Sequence, residues 1–239
     1  MPTRIPSLMQ PPIGFAHRGA RAHAPENTLD AFRLAIRLGA TGLETDVWLT
    51  RDHEVVLDHD GLIGRRLTRR RPIGEFDRAD LPASIPSLRE LYDAVGTDLP
   101  LSLDLKGGPA VGSAVIDVAR AVGDHVVPRL WLCADLATLT ALRALDPSVR
   151  LVDSTRLKYV KEGPERRAAR LAELGIDAIN LHHSDWTGGL TTLFHRFERY
   201  AFAWDCQLER VLAASLDMGV DAVYSDWSDR MSAAIAAIR

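Results

Sequence analysis

The 239-residue chain carries 29 Lys and Arg against 32 Asp and Glu, a formal net charge of -3, and 46% of its residues are hydrophobic. That balance supports a sizeable core and gives no general attraction to nucleic acid or anionic membrane surfaces. No apolar run approaches the ~18 residues that span a bilayer, and Met1 to Pro12 lacks the apolar centre of a signal peptide, so a cytoplasmic setting without stable membrane insertion is expected.

In chain order, a short apolar stretch at 12–16 ends on His17-Arg18-Gly19, and Pro25-Glu26-Asn27-Thr28 follows. Asn27 or Thr28 is placed to cap a first helix, whose apolar positions Leu29, Phe32 and Ile36 fall at i, i+3 and i+7. From there one rhythm recurs. A helix-like stretch ends at Gly, an apolar strand follows, and a polar residue closes the strand. Leu38-Gly39 leads to Leu43-Glu44-Thr45-Asp46, Val95-Gly96 to Leu101 through Lys106, and Val122-Gly123 to Leu130 through Cys133. Leu174-Gly175 leads to Ile176 through His182, and Met218-Gly219 to Val220 through Asp226. Glycine takes the left-handed helix terminus cheaply. Helical spacing also joins Leu136, Leu139, Leu142 and Leu145, and again Leu208, Val211 and Ser215.

Strands alternating with helices predict a parallel sheet. Eight candidate strands, near 12–16, 42–48, 100–105, 129–133, 149–153, 177–181, 200–204 and 220–225, predict an α/β TIM (β/α)₈ barrel, read as one domain over 1–239. An open doubly wound sheet is the runner-up, without a Gly-x-Gly-x-x-Gly turn after the first strand to support it. The segment from Arg51 to Pro86 breaks the rhythm after the second strand. Glu54 through Leu57 reads as a short extra strand inside an irregular insertion. The arginines 65, 66 and 69–71 in that insertion read as a solvated face, or as a local positive field that steers anions.

In such a barrel the chemistry sits at the C-terminal ends of the strands, where Glu44, Asp46, Asp104, Lys106, His17 and His59 all fall. Residues two apart on a strand share a face, so Glu44 pairs with Asp46 and Asp104 with Lys106. Three crowded carboxylates repel, and burial raises their pKa values. A hard divalent cation relieves that repulsion, and all-oxygen ligation favours Mg²⁺ or Ca²⁺, with Mn²⁺ also accommodated. Two histidines at strand ends beside the carboxylates are candidates for general acid and base, and Arg18 and Lys106 for phosphate partners. The plain structural reading of each is a packed histidine or a salt bridge. His182 ends the sixth strand at an inward position without a catalytic role, and Lys158 and Lys161 follow the fifth strand within reach of a phosphate.

These residues, in this order, resemble the glycerophosphodiester phosphodiesterase family. The carriers are His17-Arg18-Gly19, Pro25-Glu26-Asn27-Thr28, Glu44-x-Asp46, Leu49-Thr50-x-Asp52, His59-Asp60, Ile85-Pro86-Ser87-Leu88-x-Glu90, Asp104-x-Lys106, Trp204 and Gly219-Val220-Asp221-Ala222 with Ser225-Asp226. The resemblance implies a TIM barrel that cleaves glycerophosphodiesters to glycerol 3-phosphate and an alcohol, using a divalent metal ion. It implies metal ligation by Glu44, Asp46 and Asp104, acid/base roles for His17 and His59, phosphate binding by Arg18 and Lys106, glycerol packing on Trp204, and support from Glu26 and Asn27. Three positions depart from the family pattern. Asp104 stands where Glu is usual, Asp205-Cys206-Gln207 follows Trp204 in place of Thr-Val-Asn, and Ser225-Asp226-Trp227 replaces Thr-Asp-x-Pro. Two other functions stay open at this point. One is a lysophospholipase D or sphingomyelinase D-like phosphodiesterase, since those related enzymes carry Asp at the third metal position. The other is a barrel that binds a phosphorylated ligand without turning it over. The sequence does not set the oligomeric state.

Overall fold

In the computed structural model, which describes residues 4–64 and 70–238, eight parallel strands close into a barrel. They are β1 (Ile13–His17), β2 (Gly42–Leu49), β3 (Leu101–Leu105), β4 (Leu130–Ala134), β5 (Arg150–Ser154), β6 (Ala178–His182), β7 (Tyr200–Trp204) and β8 (Ala222–Ser225). Each is followed by a helix: α1 (Leu29–Arg37), α2 (Leu88–Val95), α3 (Pro109–Val122), α4 (Leu136–Leu145), α5 (Pro164–Glu173), α6 (Gly188–Arg196), α7 (Glu209–Asp217) and α8 (Ser228–Ala236). The ring closes through β1, which pairs with β2 at Phe15↔Gly42 and with β8 at Phe15↔Tyr224.

Alternate strand residues point inward or outward. The inward set of Phe15, Trp131, Cys133, Val152, Phe202 and Tyr224 fills the barrel, with the Phe15 and Tyr224 rings stacked at 4.9 Å. The outward set, with Leu43, Leu103, Leu132, Leu151 and Ile179, packs against the helices. Burying the apolar stripes of eight helices on the strands is the main source of stability. The layer above the inner plug is polar, and that layer forms the site.

Of the two cap candidates for α1, Thr28 takes the role, its side chain accepting from Ala31 N at 3.2 Å. Two expectations shift in detail. Leu208 precedes α7 and is exposed, so the buried face there is Val211, Leu212, Ser215 and Leu216. Leu145 ends α4 and is also exposed, because a stripe of spacing three drifts off the buried face of a 3.6-residue helix.

The insertion after β2 is partly ordered by pairing. Val55–Leu57 runs antiparallel to the end of β2, with Val47 opposite Leu57. Leu62–Ile63 then pairs with Arg71–Pro72. Gly61, at φ +66°, lies so close to the Trp48 ring that a Cβ would sit 2.5 Å from it. Residues Arg65, Arg66 and Arg69 lie outside the described residues. Among the described residues no helix is long and apolar enough to cross a membrane.

Candidate active site

The mouth of the barrel holds a cavity of about 620 Å³, lined by every residue the sequence nominates for metal, acid/base, phosphate and glycerol contacts. Glu44 and Asp46 point inward from β2 and Asp104 from the neighbouring β3, with Asp46 and Asp104 in register. Carboxylate oxygens of all three lie within 4.8 Å of one another. The donor set is all oxygen, and Glu44 and Asp46 are buried. Burial, only partly offset by His17 and reinforced by the charges of Asp46 and Asp104, pushes the Glu44 carboxyl up to about 8. Asp104 is raised too, by burial first, with Lys106 opposing. These three carboxylates suit a hard divalent cation, which would remove the repulsion that raises them.

Cations of the chain already surround this group. Lys106 Nζ lies 2.9 Å from Asp46 and 3.2 Å from Asp104. Burial would lower the lysine, but Asp104 and Asp46 outweigh it and hold the ammonium charged. Arg18 Nε lies 3.2 Å from Asp46, its Nη1 donates to both Glu26 oxygens at 3.2 Å, and its backbone N–H donates to Glu44 at 3.0 Å. That last bond needs the turn at Arg18 and Gly19, which have φ of +52° and +78°. A Cβ on Gly19 would meet Ala31 backbone carbon at 2.7 Å, so only glycine fits there.

His17, the last residue of β1, has Nδ1 2.6 Å from Asp226 Oδ1 and Nε2 3.8 Å from Glu44. Burial would lower the imidazole; Glu44 and the Asp226 hydrogen bond outweigh it, and its pKa is raised. His59 follows the short strand Val55–Leu57 and is exposed at the cavity, with Nδ1 2.8 Å from Asp60, whose other oxygen is held by Arg70 at 2.7 Å. Its loop is tied to the site where Asp58 N donates to Asp46 O at 3.2 Å and Trp48 Nε1 donates to Asp58 O at 2.7 Å. Asn27, at φ +57° and buried, accepts from Thr45 Oγ1 at 2.8 Å and so ties the first loop to β2.

Trp204 ends β7 and forms the wall opposite β2 and β3. Gln207, where the family usually has Asn, accepts from Asp226 N at 2.9 Å. Neither Lys158 nor Lys161 lines the cavity; the loop after β5 contributes Arg156 instead. Trp186 and Phe194 are core residues, buried edge to face at 5.9 Å. Sequence reasoning gave no role to Asp226, Arg21 or Arg156. Arg21 joins the two supporting acids, with Nε at 2.5 Å from Glu26 and Nη1 at 3.4 Å from Asp226.

A second group of ligand-type atoms, from His182, His183 and Asp205, also lies within 4.8 Å. Its hydrogen bonds speak against a cation. Ser184 N–H donates to His182 Nδ1 at 3.2 Å, which leaves the proton on Nε2, and Nε2 faces Asp205 at 3.2 Å. A metal on Nε2 would have to displace that proton. The trio instead orients Asp205 and braces Trp204, 4.6 Å from the His182 ring.

Residues 17–230 match the model of the glycerophosphoryl diester phosphodiesterase family. The chain belongs to that family. It is thus a phosphoric diester hydrolase by descent. A glycerophosphodiester phosphodiesterase of Bacillus altitudinis is 24% identical over 238 residues, covering 90% of this chain and 95% of that protein. The barrel superposes on an Oleispira antarctica phosphodiesterase solved with the product sn-glycerol-3-phosphate, at TM-score 0.82 and 23% identity, covering 94% of this chain and 97% of that one. It also superposes on the glycerophosphodiester phosphodiesterase of Thermotoga maritima, at TM-score 0.79 and 21% identity, covering 95% and 98%.

Proposed function

We propose that this family member hydrolyses glycerophosphodiesters to glycerol 3-phosphate and an alcohol. In this reading Glu44, Asp46 and Asp104 hold a divalent cation and His17 and His59 serve as general base and acid. The observation that carries it is the convergence in one cavity of three carboxylates within 4.8 Å, His17 at 3.8 Å from one of them, and His59.

The bound cation would polarise a phosphoryl oxygen and neutralise charge developing in the transition state. The side chains do the rest. Asp226 takes the Nδ1–H of His17, which leaves Nε2 to accept a proton from the attacking hydroxyl. Asp60 orients His59 in the same way, and His59 Nε2 delivers a proton to the leaving alcohol. Arg18 and Lys106 are fixed by Glu26, Asp46 and Asp104, so their positive charge meets the phosphate without reorganisation. Trp204 offers an apolar face to the glycerol carbons. The cavity wall is otherwise rich in charged and amide groups, including Arg21, Arg156, Asp205 and Gln207, which suits a deacylated polyol better than an acyl chain.

The test is incubation with glycerophosphocholine and glycerophosphoethanolamine, with divalent cation and with chelator. Release of glycerol 3-phosphate that depends on the cation is expected. A protein that binds these diesters yet releases nothing would be a non-catalytic barrel, and faster cleavage of lysophospholipids would move it to the phospholipase D type.

A further inference from the structure

The wall that faces the carboxylates contains a guanidinium that the reaction scheme above does not use. Arg156 lies two residues beyond β5 and reaches across β6 to Trp204, its guanidinium carbon 5.5 Å from the indole centre. Asp185 holds it there. Nε donates to Asp185 Oδ2 at 2.8 Å and Nη2 to Asp185 Oδ1 at 3.3 Å, while Leu157 N also donates to Asp185 at 3.1 Å. A guanidinium has five N–H donors in a rigid fork. Among the described residues nothing accepts from Nη1, and Arg156 lines the cavity.

From this arrangement we infer that Arg156 is a specificity-determining residue: its free Nη1 edge donates to the terminal hydroxyl of the substrate's glycerol, and so selects diesters in which that hydroxyl is unsubstituted. The inference rests on the glycerophosphodiester reading given above.

The charge balance decides what kind of group this edge takes. Asp185 occupies two of the donors and neutralises the arginine, and Asp205 lies on the same wall. A second anion therefore gains little here. A cationic head group such as choline gains less, because Arg156 already occupies a face of the Trp204 indole. A neutral oxygen acceptor fits both constraints. The indole covers the carbon skeleton, while the guanidinium edge meets the hydroxyl at its end. Because Asp185 fixes the fork in advance, little side-chain freedom is lost on binding.

The experiment compares kcat/KM for glycerophosphocholine with that for its analogue in which the terminal hydroxyl is replaced by hydrogen. A hydrogen bond from a charged donor predicts a wild-type preference of about 10–100-fold for the hydroxylated diester. Arg156→Met keeps the stem on the indole but removes every donor, and the ratio should collapse to within about threefold. Asp185→Asn leaves the guanidinium in place but loosens it, and should lower the ratio part of the way; it carries the test if Arg156→Met does not fold. An equal loss on both diesters in Arg156→Met, or a wild-type ratio near one, would overturn the assignment. If the wild type cleaves neither diester with cation present, the hydrolase reading falls and takes this assignment with it. Cleavage with an unchanged ratio in the variants overturns Arg156 alone.

Discussion

His17 and Asp226 are 209 residues apart in sequence, yet His17 Nδ1 lies 2.6 Å from Asp226 Oδ1. The contact joins the end of the first barrel strand to the end of the last. It sets which ring nitrogen of His17 carries the proton, and burial of Asp226 does not prevent the His17 hydrogen bond from holding that carboxyl below its ordinary range.

Asp226→Asn keeps the size of the side chain but removes the charge that stabilises a protonated His17. The expected result is a fall in kcat of about 10²-fold or more, with KM little changed, because the group acts only once His17 takes a proton. Steady-state kinetics on glycerophosphocholine, beside an unaltered circular dichroism spectrum, check this.

His59 is exposed, and among the described residues its one side-chain partner is Asp60. His59→Ala should therefore leave stability within about 0.5 kcal/mol while lowering kcat by about 10²–10⁴-fold. A denaturant titration and the same kinetic assay separate the two effects.

The carboxylate cluster is strained without a cation. The Glu44 carboxyl is held up to about 8, against an ordinary 4.5, so the folded state takes its proton more readily than the unfolded chain. That contribution to stability is full below about pH 4.5 and is lost as pH rises through about 8. Glu44→Gln should make the cation-free protein more stable than wild type by about 1–3 kcal/mol near pH 8, and at the same time abolish activity. Adding divalent cation should raise the melting temperature of wild type and not of the variant.

Asp153 provides a pH test away from the site. It points outward from β5 and is buried, with Arg167 Nη1 at 3.6 Å. Burial pushes it up to about 6 from 3.8; Arg167 opposes this and Glu162 adds to it. Its contribution is present below about pH 4 and disappears as pH rises through about 6. Asp153→Asn should gain stability relative to wild type by about 1–2 kcal/mol on going from about pH 5 to about pH 8. Equal differences at both pH values would contradict it.

The barrel was readable because each repeat is local. A glycine, an apolar run and a closing polar residue fall within about a dozen positions; those signals place five of the eight strands, and short apolar runs place the other three. The first half of the site was readable for the same reason, with His17 through His59 in one stretch of chain. What escaped were relationships that only closure creates. Nothing near Asp226 in sequence marks it as the partner of His17. Arg156 is aimed by Asp185, 29 residues on, so from sequence the nearby Lys158 and Lys161 drew the notice and Arg156 did not. Asn27 resembled a helix cap because its side chain suits that role, but the tertiary bond to Thr45 took it instead.

The seam between β1 and β8 also has a consequence for how the enzyme comes into being. A chain cut short before Ala222 lacks both one of the two sheet partners of β1 and the carboxylate that orients His17. Completing the ring and orienting His17 are then one event, because the last strand and the residue after it supply both contacts.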